Sequence, residues 1–413
     1  MRCGRLTLSF LGALVLATGA VAAAQAAPPK KAKHPRQLSV SAVKSARAQA
    51  TATGLDNAHV AVSWNPVPGA VSYRVSRGTL VVATTPTTTF TDALLWPSTQ
   101  YSYKVDALSA TGALLSSVTA RASTKPLPAT GFPSLFPAGS IWNTPVGNAP
   151  AAADSAGELA YILARLKNPN MTMREWGVAV AEARPTDPTY SVPCLVYQCT
   201  LSTFGSFAIP STAAADPSSD AQLAVYDPAS RREWDMWQAA KGGSGWTSSA
   251  GAGVSLDGNG VAPSGTASGD AANLPLLGGL IRPEEILQGH IDHALVFSMP
   301  GVSDLGHVCP ATHNDGSSPD PNAPMEGTRL QLDPSVNVDA LGLPAWEKPI
   351  VRAMQQYGMY LRDGGGSFAI YGENPISRGY DAWSKAGMPS GDQAGLTGIP
   401  WSKLRVVAAP DSC

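Results

Sequence analysis

Val60-Ala61-Val62-Ser63-Trp64, then Asn65-Pro66, then Val71-Ser72-Tyr73-Arg74-Val75 decides the fold class of this chain. In both runs large apolar residues fall on every second position. A β-strand projects successive side chains to opposite faces, so this spacing predicts short strands with one buried face. Asn65-Pro66 and Pro68-Gly69 are turn formers between them. Tyr101, Tyr103 and Val105 repeat the pattern, and Thr119, Arg121 and Ser123 lie in a last strand. Almost no helical spacing interrupts residues 37–125. That combination predicts a small antiparallel sandwich.

Specific positions then carry a likeness. Val62-Ser63-Trp64-Asn65-Pro66, Ser72-Tyr73-Arg74-Val75 and the run from Leu95-Trp96-Pro97 through Tyr101-Ser102-Tyr103-Lys104-Val105-Asp106-Ala107 resemble a fibronectin type III domain. The resemblance implies that Trp64 is the tryptophan between the sheets. It also implies that Tyr101 is the tyrosine corner, its hydroxyl bonded back to the chain. Such modules serve as spacers or adhesive units, and no catalysis is assigned here.

Upstream, Arg2 and Arg5 precede an apolar stretch from Leu6 to Ala24 that ends in Ala24-Gln25-Ala26. This is the layout of a cleaved signal peptide over residues 1–26 and predicts a secreted, extracellular protein. Residues 27–36, with Lys30, Lys31, Lys33, His34 and Arg36, read as a basic flexible spacer. Cys3 lies inside the signal. Four cysteines remain, and an exported chain predicts two disulfides, with Cys194–Cys199 and Cys309–Cys413 favoured among three pairings.

The chain has 413 residues and a net charge of −1, with 44% hydrophobic and 14% charged residues. No global field draws it to nucleic acid, and no later segment is apolar and long enough to hold it in a membrane once the signal is cleaved.

Residues 126–131, Pro126-Leu127-Pro128-Ala129-Thr130-Gly131, read as a linker, and residues 132–413 as one large β-rich domain. Strand-like runs include Trp176–Ala181, Gln222–Tyr226, Ala294–Phe297, Thr328–Leu332 and Gly366–Tyr371. Helices are predicted from Ser155 to Lys167 and from about Trp346 to Tyr357. Many strands with few helices suggest a β-sandwich or jelly-roll-like fold, mainly β overall. The Gly/Ser/Ala-rich segments Ser211–Ser219 and Lys241–Ala272 are expected to be surface loops.

The large domain contains no G-x-S-x-G, H-E-x-x-H, P-loop or G-x-G-x-x-G pattern, and no cofactor is assigned to it. Its chemistry concentrates elsewhere. His290, His293, His307 and His313 fall within 24 residues, with Asp292 and Asp315 among them. Read as a strand, Gly289–Phe297 sends His290 and Asp292 one way and His293 the other. His293 is then either a core histidine or a general acid/base in a concave face, with Asp292, Asp315 or Glu326 as the carboxylate. No ligand spacing is fixed, so no metal residue is assigned. A metal-dependent hydrolase remains a further reading. Glu326 and Glu373 flank strands and could act as paired carboxylates on a glycosidic bond, or stand in solvent as loop residues. Trp176, Trp234, Trp237 and Trp246 offer flat faces for sugar rings or fill the core. Trp237, Trp246, Tyr371 and Glu373 are the expected substrate contacts.

Further phrases carry a second likeness. They are Ile141-Trp142-Asn143-Thr144-Pro145, Tyr226-Asp227-Pro228, Leu274-Pro275-Leu276-Leu277-Gly278-Gly279-Leu280-Ile281-Arg282 and Gly289-His290-Ile291-Asp292-His293-Ala294-Leu295. Asp315-Gly316, Glu326-Gly327-Thr328-Arg329 and Gln356-Tyr357-Gly358-Met359 belong with them. Over nearly all of residues 135–407 the chain resembles a widespread group of secreted bacterial proteins of no assigned biochemistry. The resemblance implies secretion and one globular domain and transfers no catalytic residue.

These readings converge on a secreted protein that acts on an extracellular polysaccharide or cell-wall glycan as a hydrolase or lyase. The alternative is a non-catalytic adhesion or glycan-binding protein.

Overall fold

The computed structural model describes residues 48–197, 199–262 and 269–410. The expected signal peptide, the basic spacer and Cys413 lie outside the described residues.

Residues 50–123 form two antiparallel sheets. One holds Ala50–Gly54, Val60–Trp64 and Thr89–Asp92. The other runs Leu80–Thr85, Ser72–Arg77, Gln100–Leu108, Leu114–Ser123. The apolar residues spaced by two close on one another: Val60, Val62, Trp64, Tyr73, Val75, Tyr103 and Val105 share a single core. Each such side chain contributes about 1.5–3 kcal/mol on burial. Tyr101 is the expected corner, its hydroxyl accepting the Trp96 N–H at 2.8 Å.

The remainder is a two-sheet sandwich. The first sheet runs Cys199–Thr200, Ala250–Ser255, Arg232–Trp237, Leu223–Asp227, Val178–Glu182, Glu373–Asn374. The second runs Gln393–Gly395, Asn170–Thr172, Ala369–Ile370, Leu295–Met299, Met359–Gly364, Arg329–Leu332, Leu404–Val407. Both are mixed, with parallel pairs such as Leu223–Asp227 on Val178–Glu182 and Leu295–Met299 on Met359–Gly364.

Central strands are buried on both faces, so they read as unbroken apolar runs. Their alternation nevertheless assigns the layers. Val178, Val180, Ala224, Tyr226, Val296 and Tyr360 meet between the sheets. Leu295, Phe297 and Met299 face the opposite way, into a core shared with Tyr161, Ile162, Ile350, Val351 and Met354 of the helices Ser155–Arg165 and Glu347–Gln356. Ala179, Ala181, Leu223, Val225, Trp234 and Met236 form the outer core of the first sheet. On Arg232–Trp237 the residues turned toward the sheet interface are therefore Glu233 and Asp235, a placement that drives the chemistry below.

Two local expectations are corrected. The small-residue stretch 250–255 is a strand paired with Arg232–Trp237, not a loop, and the missing side chain of Gly251 lets Leu201 pack directly on it. Residues 289–294 are not a strand. Arg282 caps the helix Pro283–Gln288 and Gly289 ends it in a left-handed conformation (φ 85°), so the alternation read into 289–297 begins only at Leu295. Cys194 and Cys199 are bonded, with Cα atoms 5.5 Å apart.

The smaller sandwich is joined to the larger by more than residues 126–131. His59 Nε2 meets Glu182 Oε1 at 2.6 Å, Tyr380 Oη donates to the Leu94 carbonyl at 2.8 Å, and Arg77 donates to the Arg378 carbonyl. Burial opposes charge on His59, but the hydrogen bond and charge of Glu182, then Asp56, outweigh it and raise the imidazole to about 9. Glu182 also accepts from Tyr226 Oη at 2.6 Å. A histidine raised on folding stabilises fully below its unfolded value of about 6.5 and loses that contribution as pH climbs through about 9. Urea unfolding should therefore show the wild type more stable than His59→Gln near pH 6, by up to about 3 kcal/mol, with the gap closing above about pH 9. A gap that widens with pH contradicts the assignment.

Candidate functional site

Asp315, Glu326 and Asp363 converge. One carboxylate oxygen from each lies within 4.8 Å of the others. Asp315 is exposed, Asp363 half-buried and Glu326 fully buried.

Local backbone explains why they meet. Glu326-Gly327-Thr328 is zipped between two segments: Val308 N–H donates to the Glu326 carbonyl, Gly327 N–H to that of Leu361, and Leu361 N–H to that of Thr328, each at 2.8 Å. Gly327 has φ 89°, and a Cβ there would stand 1.8 Å from the Val308 carbonyl oxygen, so only glycine fits. Gly316, beside Asp315, is constrained by space alone, a Cβ there falling 2.1 Å from the Ser303 carbonyl oxygen. Asp363 reaches the site through a bulge. Phe297 pairs with Leu361 and Ser298 with Asp363, so Arg362 is the extra residue.

Behind the trio lies more acid. Glu233 and Asp235 are fully buried between the sheets, their carboxylates accepting the Leu277 and Leu276 N–H groups at 2.7 and 3.1 Å. Asp270 accepts from Leu274 N–H at 2.8 Å and stands 2.7 Å from Arg362 Nε, both side chains sealed from solvent. That contact is a charge pair rather than an aligned hydrogen bond, and Nη1 and Nη2 of Arg362 have no hydrogen-bond partner. The guanidinium lies 4.6 Å from the centre of the Tyr371 ring.

Electrostatics follow from this crowding. Burial, then the charges of Asp315, Asp363 and Asp270, push Glu326 up to about 10. No N–H or hydroxyl group donates to either Glu326 oxygen, and its carboxylate neighbour Asp315 can bond it only through a proton. Asp363 is raised well above the carboxylate range by burial, then by Asp270 and Asp315, against the pull of Arg362. Burial lifts Asp270 to about 7 even with Arg362 beside it. Asp235 is raised by burial and by Glu233, with which it shares a hydrogen bond that requires one proton.

Aromatic surface lies close by. Asp220, whose charge is felt at Asp363 and Tyr371, accepts from Trp237 Nε1 at 3.3 Å. The half-buried Trp237 ring is 6.0 Å from Tyr197, which is exposed on the Cys194–Cys199 loop with Leu195 and Val196.

The other expected site residues are placed elsewhere. His293 does not meet Asp315. Its Nε2 binds Glu285 Oε1 at 2.9 Å and its Nδ1 the Ala294 carbonyl at 2.8 Å. Burial opposes its charge, but Glu285 outweighs it and the pKa rises. Glu285 in turn accepts the Arg282 N–H at 2.8 Å, so His293 braces the cap of helix Pro283–Gln288. Although it lines a shallow pocket with Phe132, Phe136 and Trp142, both ring nitrogens are engaged. Asp292 is exposed and pairs with His290 at 2.8 Å. Glu373 is not a solvent or substrate carboxylate. It is fully buried, with Arg282 on one side and Arg378 (2.5 Å) on the other, and Arg378 also holds Glu284 at 2.5 Å. Burial raises Glu373, but the two guanidiniums outweigh that and hold it below the carboxylate range. Trp246 and Trp234 are core residues, the latter stacked on Phe207 at 4.6 Å.

Asp363, Asp270, Glu233, Asp235 and Arg362 were not anticipated. In Arg232-Glu233-Trp234-Asp235-Met236-Trp237 the acids alternate with apolar residues, a pattern that places them on one strand face.

No family model matches the chain. It is 32% identical over 143 residues to an alpha-amylase of Niallia circulans, a match spanning 30% of this chain and 11% of that protein. The chain thus spans about a tenth of the length of that curated relative. Among solved structures it is similar to an Fn3-like protein from Clostridium thermocellum (28% identity, 20% of this chain and 96% of that one, TM-score 0.18). A fibronectin type III domain of a human protein matches at 21% identity over 21% of this chain and 90% of its own, TM-score 0.18. A pectate lyase from Pectobacterium carotovorum matches at 23% identity over 22% of this chain and 30% of its own, TM-score 0.16.

Removing Glu373 leaves two buried guanidiniums short of a counter-charge. Glu373→Ala should cost about 3–5 kcal/mol in chemical unfolding, whereas Asp315→Asn should change stability by less than about 0.5 kcal/mol. Equal effects from the two contradict this division between framework and site.

Proposed function

We propose that this is an exported polysaccharide-active protein whose reaction centre is Asp315, Glu326 and Asp363. The observation that carries the reading is their convergence. Three carboxylates from separate segments crowd together, one sealed from water and served by no N–H or hydroxyl donor, one open to solvent. A folded chain gains no stability from such crowding, and groups held in this way cluster at reactive sites.

The substrate class rests on two supports. Part of the chain is similar to an alpha-amylase. Tyr197 and Trp237 also offer ring faces next to Asp220, suited to stacking on sugars. Export is supported by the Cys194–Cys199 disulfide and by the leader-like residues 1–26. Among the described residues no helix is long and apolar enough to cross a membrane. On this reading cleavage is hydrolytic or eliminative at the trio, and His293 is a framework residue.

Purified protein should cleave at least one member of a panel of α-glucans, β-glucans and uronate polymers, followed by reducing-end and unsaturated-product assays. Glu326→Gln and Asp363→Asn should each lower kcat about 100-fold or more, while a folded His293→Gln retains most of it. Full activity in the carboxamide variants, or no cleavage across the panel, overturns the proposal.

A further inference from the structure

We infer that Asp315, Glu326 and Asp363 form a binding site for a hard divalent cation, calcium foremost. The inference rests on the trio being the reaction centre proposed above and adds the cofactor that such a centre would use.

Two observations carry it independently. The first is donor chemistry. Three carboxylate oxygens no more than 4.8 Å apart fit on a shell of calcium–oxygen contacts, whose diameter is about 4.6–5.2 Å. All three donors are hard oxygens, which suit calcium or magnesium rather than zinc or copper. The second is Glu326. It is fully buried, no N–H or hydroxyl group donates to either of its oxygens, and it is aimed at the other two carboxylates, of which Asp315 can bond it only through a proton. A buried carboxyl without a donor can carry its charge only where something cationic meets it, and otherwise it keeps a proton that a bound cation would displace. The charges acting most strongly on Glu326 are all negative: Asp315, Asp363 and Asp270. Arg362 is committed to Asp270 and to the face of Tyr371.

The geometry also sets the direction of approach. Glu326 closes the inner side, and Asp315 is the exposed ligand. A cation held there keeps its outer coordination positions for water or for the hydroxyl or carboxylate oxygens of a sugar.

The test uses the whole mature protein stripped with EDTA and titrated with calcium, and separately with magnesium, by calorimetry and thermal melting. We expect one calcium per chain and a melting temperature that rises with calcium. Affinity should fall at least about 10-fold in Glu326→Gln and in Asp315→Asn, the latter an exposed change that leaves folding intact. His293→Gln should bind as the wild type does. Tighter magnesium than calcium binding at the same residues supports the site and revises the ion. Absence of divalent binding by the wild type, or binding that survives in both carboxamide variants, overturns the inference. The two readings separate cleanly. Calcium bound at the trio without cleavage of any glycan sinks the proposed function and leaves the cation site. Cleavage that persists undiminished in EDTA, without divalent binding, does the reverse.

Discussion

Between the two sheets of the large sandwich, where apolar packing would ordinarily run unbroken, this chain places carboxylates. Glu233 and Asp235 occupy the inner face of one strand, and Asp270 and Arg362 face each other in the same interior. Glu326 and Asp363 carry the acid outward to Asp315 at the surface. Taking such groups out of water is costly unless each is neutralised, bonded or paired. The structure does each of these in turn: backbone N–H groups serve Glu233, Asp235 and Asp270, and a shared proton joins Glu233 to Asp235. Arg362 serves Asp270. Glu326 is served by no N–H or hydroxyl group at either oxygen, and it faces Asp315, the exposed acid of the trio. The choice of reaction centre rests on the convergence of the three carboxylates, and the cation inference on that convergence together with this deficit.

A different buried network contrasts with it. Glu284, Arg378, Glu373 and Arg282 alternate in sign, and every carboxylate there has a guanidinium within hydrogen-bond reach. The same elements hold His293 through Glu285 and the smaller sandwich through the Arg378 carbonyl and Tyr380. Balanced charge marks this region as framework. The trio has no such balance, which is what supports reading it as a site.

Much of the fold was legible because its signals are local. Trp64 and Tyr101 sit at fixed places in a period-2 pattern, and the helices at 155–165 and 347–356 announce themselves by apolar spacing. The Cys194–Cys199 pair follows from proximity in sequence. Asp315 and Glu326 were named as carboxylate partners for His293, Glu326 also for its place beside a strand, but it is Asp363 and not His293 that the structure brings to them. Asp363 was not named, because a bulge at Arg362 turns it toward the site and no spacing rule announces a bulge. His293 misled for a related reason. The left-handed Gly289 ends a helix where the alternation looked like a strand, and the resulting turn points the imidazole at Glu285. Glu373 looked like a loop acid because one of its two arginines, Arg282, lies 91 residues away, and only the short turn at 375–378 brings Arg378 back onto it.

A crystal structure grown in calcium, with anomalous diffraction recorded to identify the ion, tests the central claim most directly. The account predicts one anomalous peak bounded by Asp315, Glu326 and Asp363, with oxygens at about 2.3–2.6 Å. A Glu326 carboxylate hydrogen-bonded to a protein donor, with no ion beside it, would contradict the account.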